Sequence, residues 1–187
     1  MFLVVEKSFY HKIMGFVCGP PKTRRWKTGC VSVKIRGMDL KNLYREIVNE
    51  HNLNPSHRGD LPDATLTLRG VNPSCGDDIT LMLRLENDRI ADGRFTGEGC
   101  AISQASVDMM LDQIIGLSVE EAVSRSELFH GMVRGEITDE ASLETLDEAA
   151  SLQDISHMPA RVKCAMLGWR TMKELLEHPE KSEQKGG

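Results

Sequence analysis

Asn72-Pro73-Ser74-Cys75-Gly76-Asp77-Asp78 runs directly into Ile79-Thr80-Leu81-Met82-Leu83-Arg84-Leu85-Glu86. The second part alternates, with Ile79, Leu81, Leu83 and Leu85 on one face and Thr80, Met82, Arg84 and Glu86 on the other, the period of a half-buried strand. The first part is a Pro- and Gly-containing turn that sets a thiol and a carboxylate two residues apart. Upstream, Ala64 to Val71 alternates through Leu66 and Leu68 against Thr65, Thr67 and Arg69. Downstream, Asn87-Asp88 has the chemistry of a compact hairpin turn, and Arg89 to Thr96 supplies a third, weaker strand with Gly93 inside it. Consecutive strands with short connections predict an antiparallel meander with one face covered.

The flanks read as helix. Asp39 caps a predicted helix from Leu40 towards Glu50, with Leu40, Leu43, Tyr44, Ile47 and Val48 on one stripe. Residues 51–60 are polar and turn-rich, and His51 and His57 read there as solvated loop residues. Cys100 to Ile115 is periodic through Ile102, Ala105, Met109 and Met110, with Gly116 as its C-cap. Ser118-Val119-Glu120-Glu121 is a capping box opening a helix to about Val133, ending near Gly135. Thr138 to about Ala150 is an acidic helix, and Pro159 opens the last one, which carries Val162, Met166, Trp169 and Met172 on one stripe. Trp169 reads as core. The predicted class is α+β, a small three-stranded antiparallel sheet packed against several helices. The predicted organisation is a basic N-terminal extension over residues 1–37, a domain over 38–178 and a disordered tail over 179–187, with no internal repeat.

Charge supports that division. Residues 1–37 hold eight Lys/Arg and one acid, Glu6, which leaves 15 Lys/Arg against 27 Asp/Glu in the remainder. An acidic domain carrying a basic leader argues against nucleic acid as the partner, since phosphate contacts need Lys and Arg. Met38 is a candidate start of the functional chain, with the leader an upstream extension; a transit peptide is the other reading of its basic, acid-poor character. No apolar run approaches the roughly 18 residues of a membrane span. Met1-Phe2-Leu3-Val4-Val5 is cut short by Glu6 and Lys7, so no secretory signal is read, and a cytoplasmic location is expected. In that compartment the five cysteines are ligands or nucleophiles rather than a disulfide framework.

Cys75, Asp77, Cys100 and Cys164 are the candidate metal set. Zinc takes thiolates, imidazoles and carboxylates in a tetrahedron. Cys75 and Asp77 share the Gly76 turn, Cys100 follows Gly97-Glu98-Gly99 at a helix start, and Cys164 lies in the first turns of the last helix. A helix N-terminus favours a thiolate, and Arg161 and Lys163 are expected to lower the Cys164 pKa further. Buried cysteine as a small hydrophobe is the alternative. Asp78 is a rival to Asp77, which itself has the setting of a turn cap; Arg161 either supports the thiolate or pairs with a surface acid; His157 has the position of a helix cap.

Asn72-Pro73-Ser74-Cys75-Gly76-Asp77, Gly97-Glu98-Gly99-Cys100-Ala101-Ile102-Ser103-Gln104-Ala105-Ser106 and Pro159-Ala160-Arg161-Val162-Lys163-Cys164-Ala165 together resemble the IscU/SufU (NifU N-terminal-like) family of iron–sulfur assembly proteins. The resemblance spans roughly Met38 to Leu176. It implies that Cys75, Asp77, Cys100 and Cys164 are metal ligands and that the fold is a small antiparallel sheet with helices on it. IscU-type members carry a His before the third cysteine, where this chain has Lys163; SufU-type members carry an insertion between the second and third cysteines, matched by the material around Phe129 to Ala150. The chain therefore resembles SufU more closely. That resemblance implies a zinc-dependent sulfur acceptor that takes persulfide sulfur from a cysteine desulfurase of the SufS type and passes it towards SufBCD-type machinery; the alternative is a scaffold building a [2Fe–2S] cluster on the same ligands. Cys75 is assigned as the sulfur acceptor, because its loop between Pro73 and Gly76 can swing while helices fix Cys100 and Cys164. Arg161 is assigned a supporting role.

Overall fold

The computed structural model describes residues 40–182. The expected extension over residues 1–37, the Asp39 cap and the end of the expected tail, residues 183–187, lie outside the described residues. The elements follow in the order α1 (Leu40–Leu53), β1 (Leu66–Asn72), β2 (Asp77–Glu86), β3 (Arg89–Glu98), α2 (Ala101–Ile114), α3 (Val119–Val133), α4 (Glu140–Glu144), a 3-10 segment (Asp147–His157) and α5 (Pro159–Glu177), closed by a 3-10 turn (Pro179–Lys181).

The strands form one antiparallel sheet in the order β1-β2-β3. Its register runs from Leu66 opposite Leu83 to Asn72 opposite Asp77, and from Asp78 opposite Glu98 to Glu86 opposite Arg89. Asn87 (φ 50°) and Asp88 (φ 62°) are both left-handed, as a two-residue hairpin turn between right-twisted strands requires. Ile79, Leu81 and Leu83 are fully buried as the alternation predicts, but Met82 is buried too, so the second face is covered at that point as well.

Helix α5 is the spine of the packing. Its Thr171 Oγ1 lies 2.1 Å from where a Cβ on Gly70 would stand, and Val107 Cγ2 of α2 lies 2.6 Å from the Cβ position of Gly168. Both glycines therefore serve close approach, of α5 to β1 and of α2 to α5. Around that contact Ser106 Oγ donates to the Ala165 carbonyl (2.7 Å) and accepts from Trp169 Nε1 (3.2 Å). Trp169 stacks on Phe129 with ring centres 4.4 Å apart. Each such buried aromatic removes a large apolar surface from water, and aromatic pairs add about 0.5–1.5 kcal/mol beyond burial.

Four expectations are corrected. Helix α1 continues past Glu50 to Leu53, which places His51 in its last turn and buries it, rather than leaving it in a solvated loop. The acidic stretch is not one helix: α4 stops at Glu144, Asp147 turns left-handed (φ 48°), and the chain resumes as 3-10. His157 does not cap α5, whose N-cap is Met158 with no side-chain hydrogen bond; Pro159 at the first position carries the helix start. The expected tail over residues 179–187 begins in order, because Pro179–Lys181 form a 3-10 turn and Ser182 Oγ accepts from the Thr67 N–H at 2.8 Å on β1.

Candidate metal centre

The β1–β2 connection is built on Asn72, whose carbonyl accepts from the N–H of Cys75 (3.2 Å) and of Gly76 (3.0 Å). Gly76 (φ 73°) then reverses the chain at a conformation other residues adopt only with strain. This leaves the Cys75 side chain exposed on the turn and puts Asp77, the first residue of β2, directly opposite Asn72 and fully buried.

The second ligand loop is aimed at Asp77 by the chain after β3. Gly97 (φ 118°) lies so close to β2 that a Cβ would stand 2.1 Å from the Asp78 carbonyl oxygen, so only glycine fits. Arg58 fastens this loop, donating through Nη1 to Gln104 Oε1 (2.8 Å) and through Nη2 to the Gly97 carbonyl (2.9 Å). Cys100 then caps α2, its N–H donating to Asp77 Oδ1 at 2.8 Å and its sulfur accepting from the Ser103 N–H at 3.4 Å. The close approach of α5 to β1 delivers Cys164, which is buried and accepts from Asn72 Nδ2 at 3.4 Å. One donor atom from each of Cys75, Asp77, Cys100 and Cys164 lies within 4.8 Å of all the others.

Asp78, the rival ligand, is turned outward and paired with Arg69, whose Nε donates to its Oδ1 at 2.8 Å. Arg161 is exposed, stands one turn before Cys164, and makes no ion pair among the described residues; burial raises the pKa of the half-buried Tyr44 phenol of α1, and the charge of Arg161 opposes that rise. Burial pushes the Cys100 and Cys164 thiols up rather than down, and the neighbouring thiols and Asp77 raise Cys164 further. The helix start and the cations Arg161 and Lys163 do not outweigh this, contrary to the sequence expectation. The Cys100 and Cys164 thiols resist ionisation until a cation joins the cluster of three thiols and a carboxylate. Their number and kind are those of a tetrahedral zinc site with mixed sulfur and oxygen donors, so the residues fit the metal.

His51 belongs to a second cluster that sequence reasoning missed. Its Nδ1 lies 2.7 Å from Asp108 Oδ2 and its Nε2 2.8 Å from Glu148 Oε2, while Asp108 also accepts from the N–H of Ser56 (3.2 Å) and His57 (2.8 Å). His57, the other supposed loop histidine, bonds Asp112 at 2.8 Å. These bonds tie α1, α2 and the 3-10 segment together. Arg58 and Asn72 were also missed as contributors to the metal centre. Asn72 carried a signal, being a polar residue on the same strand parity as Leu66, Leu68 and Gly70.

The family model of the NifU-like N-terminal domain matches residues 43–184. An iron–sulfur cluster assembly scaffold protein IscU from Thermotoga maritima is 44% identical, with 75% of this chain and 96% of that one covered. A zinc-dependent sulfurtransferase SufU from Bacillus subtilis is 39% identical, covering 73% of this chain and 90% of that one. A solved structure of a SUF-system iron–sulfur cluster assembly scaffold protein from Fervidobacterium islandicum superposes with a TM-score of 0.66 at 35% identity, covering 70% of this chain and 94% of that one.

Proposed function

The chain belongs to the NifU-like N-terminal domain family, which includes the IscU and SufU iron–sulfur cluster assembly proteins, and we propose that within it this chain is a zinc-dependent sulfur acceptor. The observation that carries the reading is the asymmetry of the four donors. Asp77 and Cys164 are buried and hydrogen-bonded, Cys100 is fixed as a helix cap, and Cys75 is exposed on a turn. A group that must meet a partner's sulfur needs that exposure. A Lys rather than a His before Cys164 and the inserted material around α4 and the 3-10 segment favour the same branch.

Zinc, when bound by Cys75, Asp77, Cys100 and Cys164, supplies the positive charge that holds the thiols as thiolates. The Cys75 thiolate attacks the outer sulfur of a persulfide on a cysteine desulfurase of the SufS type. The donor's S–S bond breaks, its cysteine leaves as a thiolate, and a new S–S bond forms on Cys75, so the outer sulfur moves with no net oxidation. Arg161, exposed beside the site and free of acid partners among the described residues, supports the anionic groups as they meet. The sulfur then passes to SufBCD-type machinery in the cytoplasm. Among the described residues no helix is long and apolar enough to cross a membrane.

The test is to supply the zinc-loaded protein to a SufS-type desulfurase with cysteine and follow alanine release, while recording the absorption spectrum of the protein as purified. A colourless protein with one zinc per chain that accelerates turnover supports the reading. A protein that carries a [2Fe–2S] chromophore and leaves turnover unchanged supports the scaffold reading, which the Thermotoga maritima relative's name favours.

A further inference from the structure

We propose, on the reading of the four donors as a zinc centre, that Asn72 is the positioning residue that locks Asp77 and Cys164 in place and leaves Cys75 as the ligand able to move. Asn72 ends β1 on the face that packs against α5, and it is 5% exposed. A buried amide left without partners costs about 1–3 kcal/mol, so its presence there calls for a use of its hydrogens. Its Nδ2 donates to Asp77 Oδ2 at 2.8 Å and to Cys164 Sγ at 3.4 Å, which consumes both of its N–H bonds on two of the four donors. Its carbonyl meanwhile accepts from the N–H of Cys75 (3.2 Å) and Gly76 (3.0 Å), fixing the base of the turn but not the Cys75 side chain.

Among the described residues no other side chain outside the set is hydrogen-bonded to two of the four donors, and the Cys75 sulfur accepts no N–H. The Asp77 carboxylate is held from both sides, by Asn72 on Oδ2 and by the Cys100 N–H on Oδ1. A ligand gripped in this way keeps one orientation, and a sulfur that accepts an N–H is a poorer nucleophile than one that does not. Asn72 therefore holds two of the ligands through a single side chain, the helix cap holds Cys100, and Cys75 is left as the mobile one.

The test uses Asn72→Ala, which keeps the backbone bonds, and Asn72→Leu, which also fills the space of the lost amide. Three quantities are read: zinc affinity by chelator competition, the ligand-field spectrum of the cobalt(II)-substituted protein, and alkylation rates of Cys75 and Cys164 in the zinc-loaded protein mapped by peptide mass. Loss of such an orienting partner typically weakens metal binding about 10- to 100-fold. We expect a loss in that range in both variants, a shifted cobalt spectrum, and Cys164 alkylation accelerated more than Cys75 alkylation. Zinc affinity within threefold of wild type, with an unchanged cobalt spectrum and unchanged alkylation order, overturns the proposal; so does loss of cooperative unfolding in both metal-free variants, which would make Asn72 a folding residue. Wild-type protein that binds zinc yet accepts no sulfur defeats the functional reading and leaves the Asn72 result standing.

Discussion

Asp108→Ala is predicted to destabilise the fold by about 3–5 kcal/mol, the cost of stranding one member of a buried ion pair. Asp108 has no exposed surface and accepts three hydrogen bonds, from His51 Nδ1 (2.7 Å), the Ser56 N–H (3.2 Å) and the His57 N–H (2.8 Å). The substitution removes all three and leaves His51 with Glu148 at 2.8 Å and the more distant Asp112 carboxylate at 4.0 Å. For a domain of this size the loss corresponds to a fall in Tm of roughly 10 °C. The gap between wild type and variant is also predicted to depend on pH. Burial pulls the His51 pKa down, but the bonds to Asp108 and Glu148 overcome it and hold the imidazole at about 9 against an ordinary 6.5. A folded pKa raised above the unfolded one contributes stability that is complete below about pH 6.5 and is lost as pH rises through about 9. For Asp108, burial pushes the carboxyl up, and the bonds from His51 and the two N–H groups outweigh it, so the pKa is lowered and its contribution is lost only in acid. Urea unfolding of both metal-free proteins at pH 6, 8 and 10 is the assay. The wild-type advantage should be greatest at pH 6 and shrink by pH 10. A gap below about 1 kcal/mol at pH 6, the size of one ordinary hydrogen bond, refutes the clamp; a gap constant from pH 6 to 10 refutes the role of the imidazolium.

Cys100→Ser is predicted to lose zinc, because the helix-capping sulfur that it removes is anchored; Cys75→Ser should retain more zinc while losing sulfur acceptance, and metal content after dialysis against a chelator compares the two. A chain beginning at Met38 is predicted to bind zinc and stimulate the desulfurase as the full chain does; a large loss of zinc binding or turnover in that truncation assigns residues 1–37 to the functional unit.

The sheet was legible because local signals and tertiary demands agree there. The alternation of Ile79, Leu81 and Leu83 matches their burial, and Asn87-Asp88 adopts the left-handed pair its chemistry favours. The capping box at Ser118 and Glu121 is likewise formed as read. The clustering of Cys75, Asp77, Cys100 and Cys164 was legible from the glycines and helix start around three of them and from the family resemblance. His51 was not: its partners Asp108 and Glu148 lie 57 and 97 residues away, and nothing local marks the pairing. The pKa direction at Cys164 also escaped, since sequence displays the adjacent cations Arg161 and Lys163 but not the burial against β1. The break between α4 and the 3-10 segment sits at a left-handed Asp147 that an acidic, helix-compatible composition conceals.

The most direct test of sulfur acceptance at the four-donor centre is to map the persulfide. The zinc-loaded protein is mixed with a SufS-type desulfurase and cysteine, trapped by alkylation and digested, and each cysteine-containing peptide is weighed. The extra sulfur is predicted on Cys75, with Cys100 and Cys164 unmodified. Persulfide on Cys164 with Cys75 unmodified would contradict the assignment.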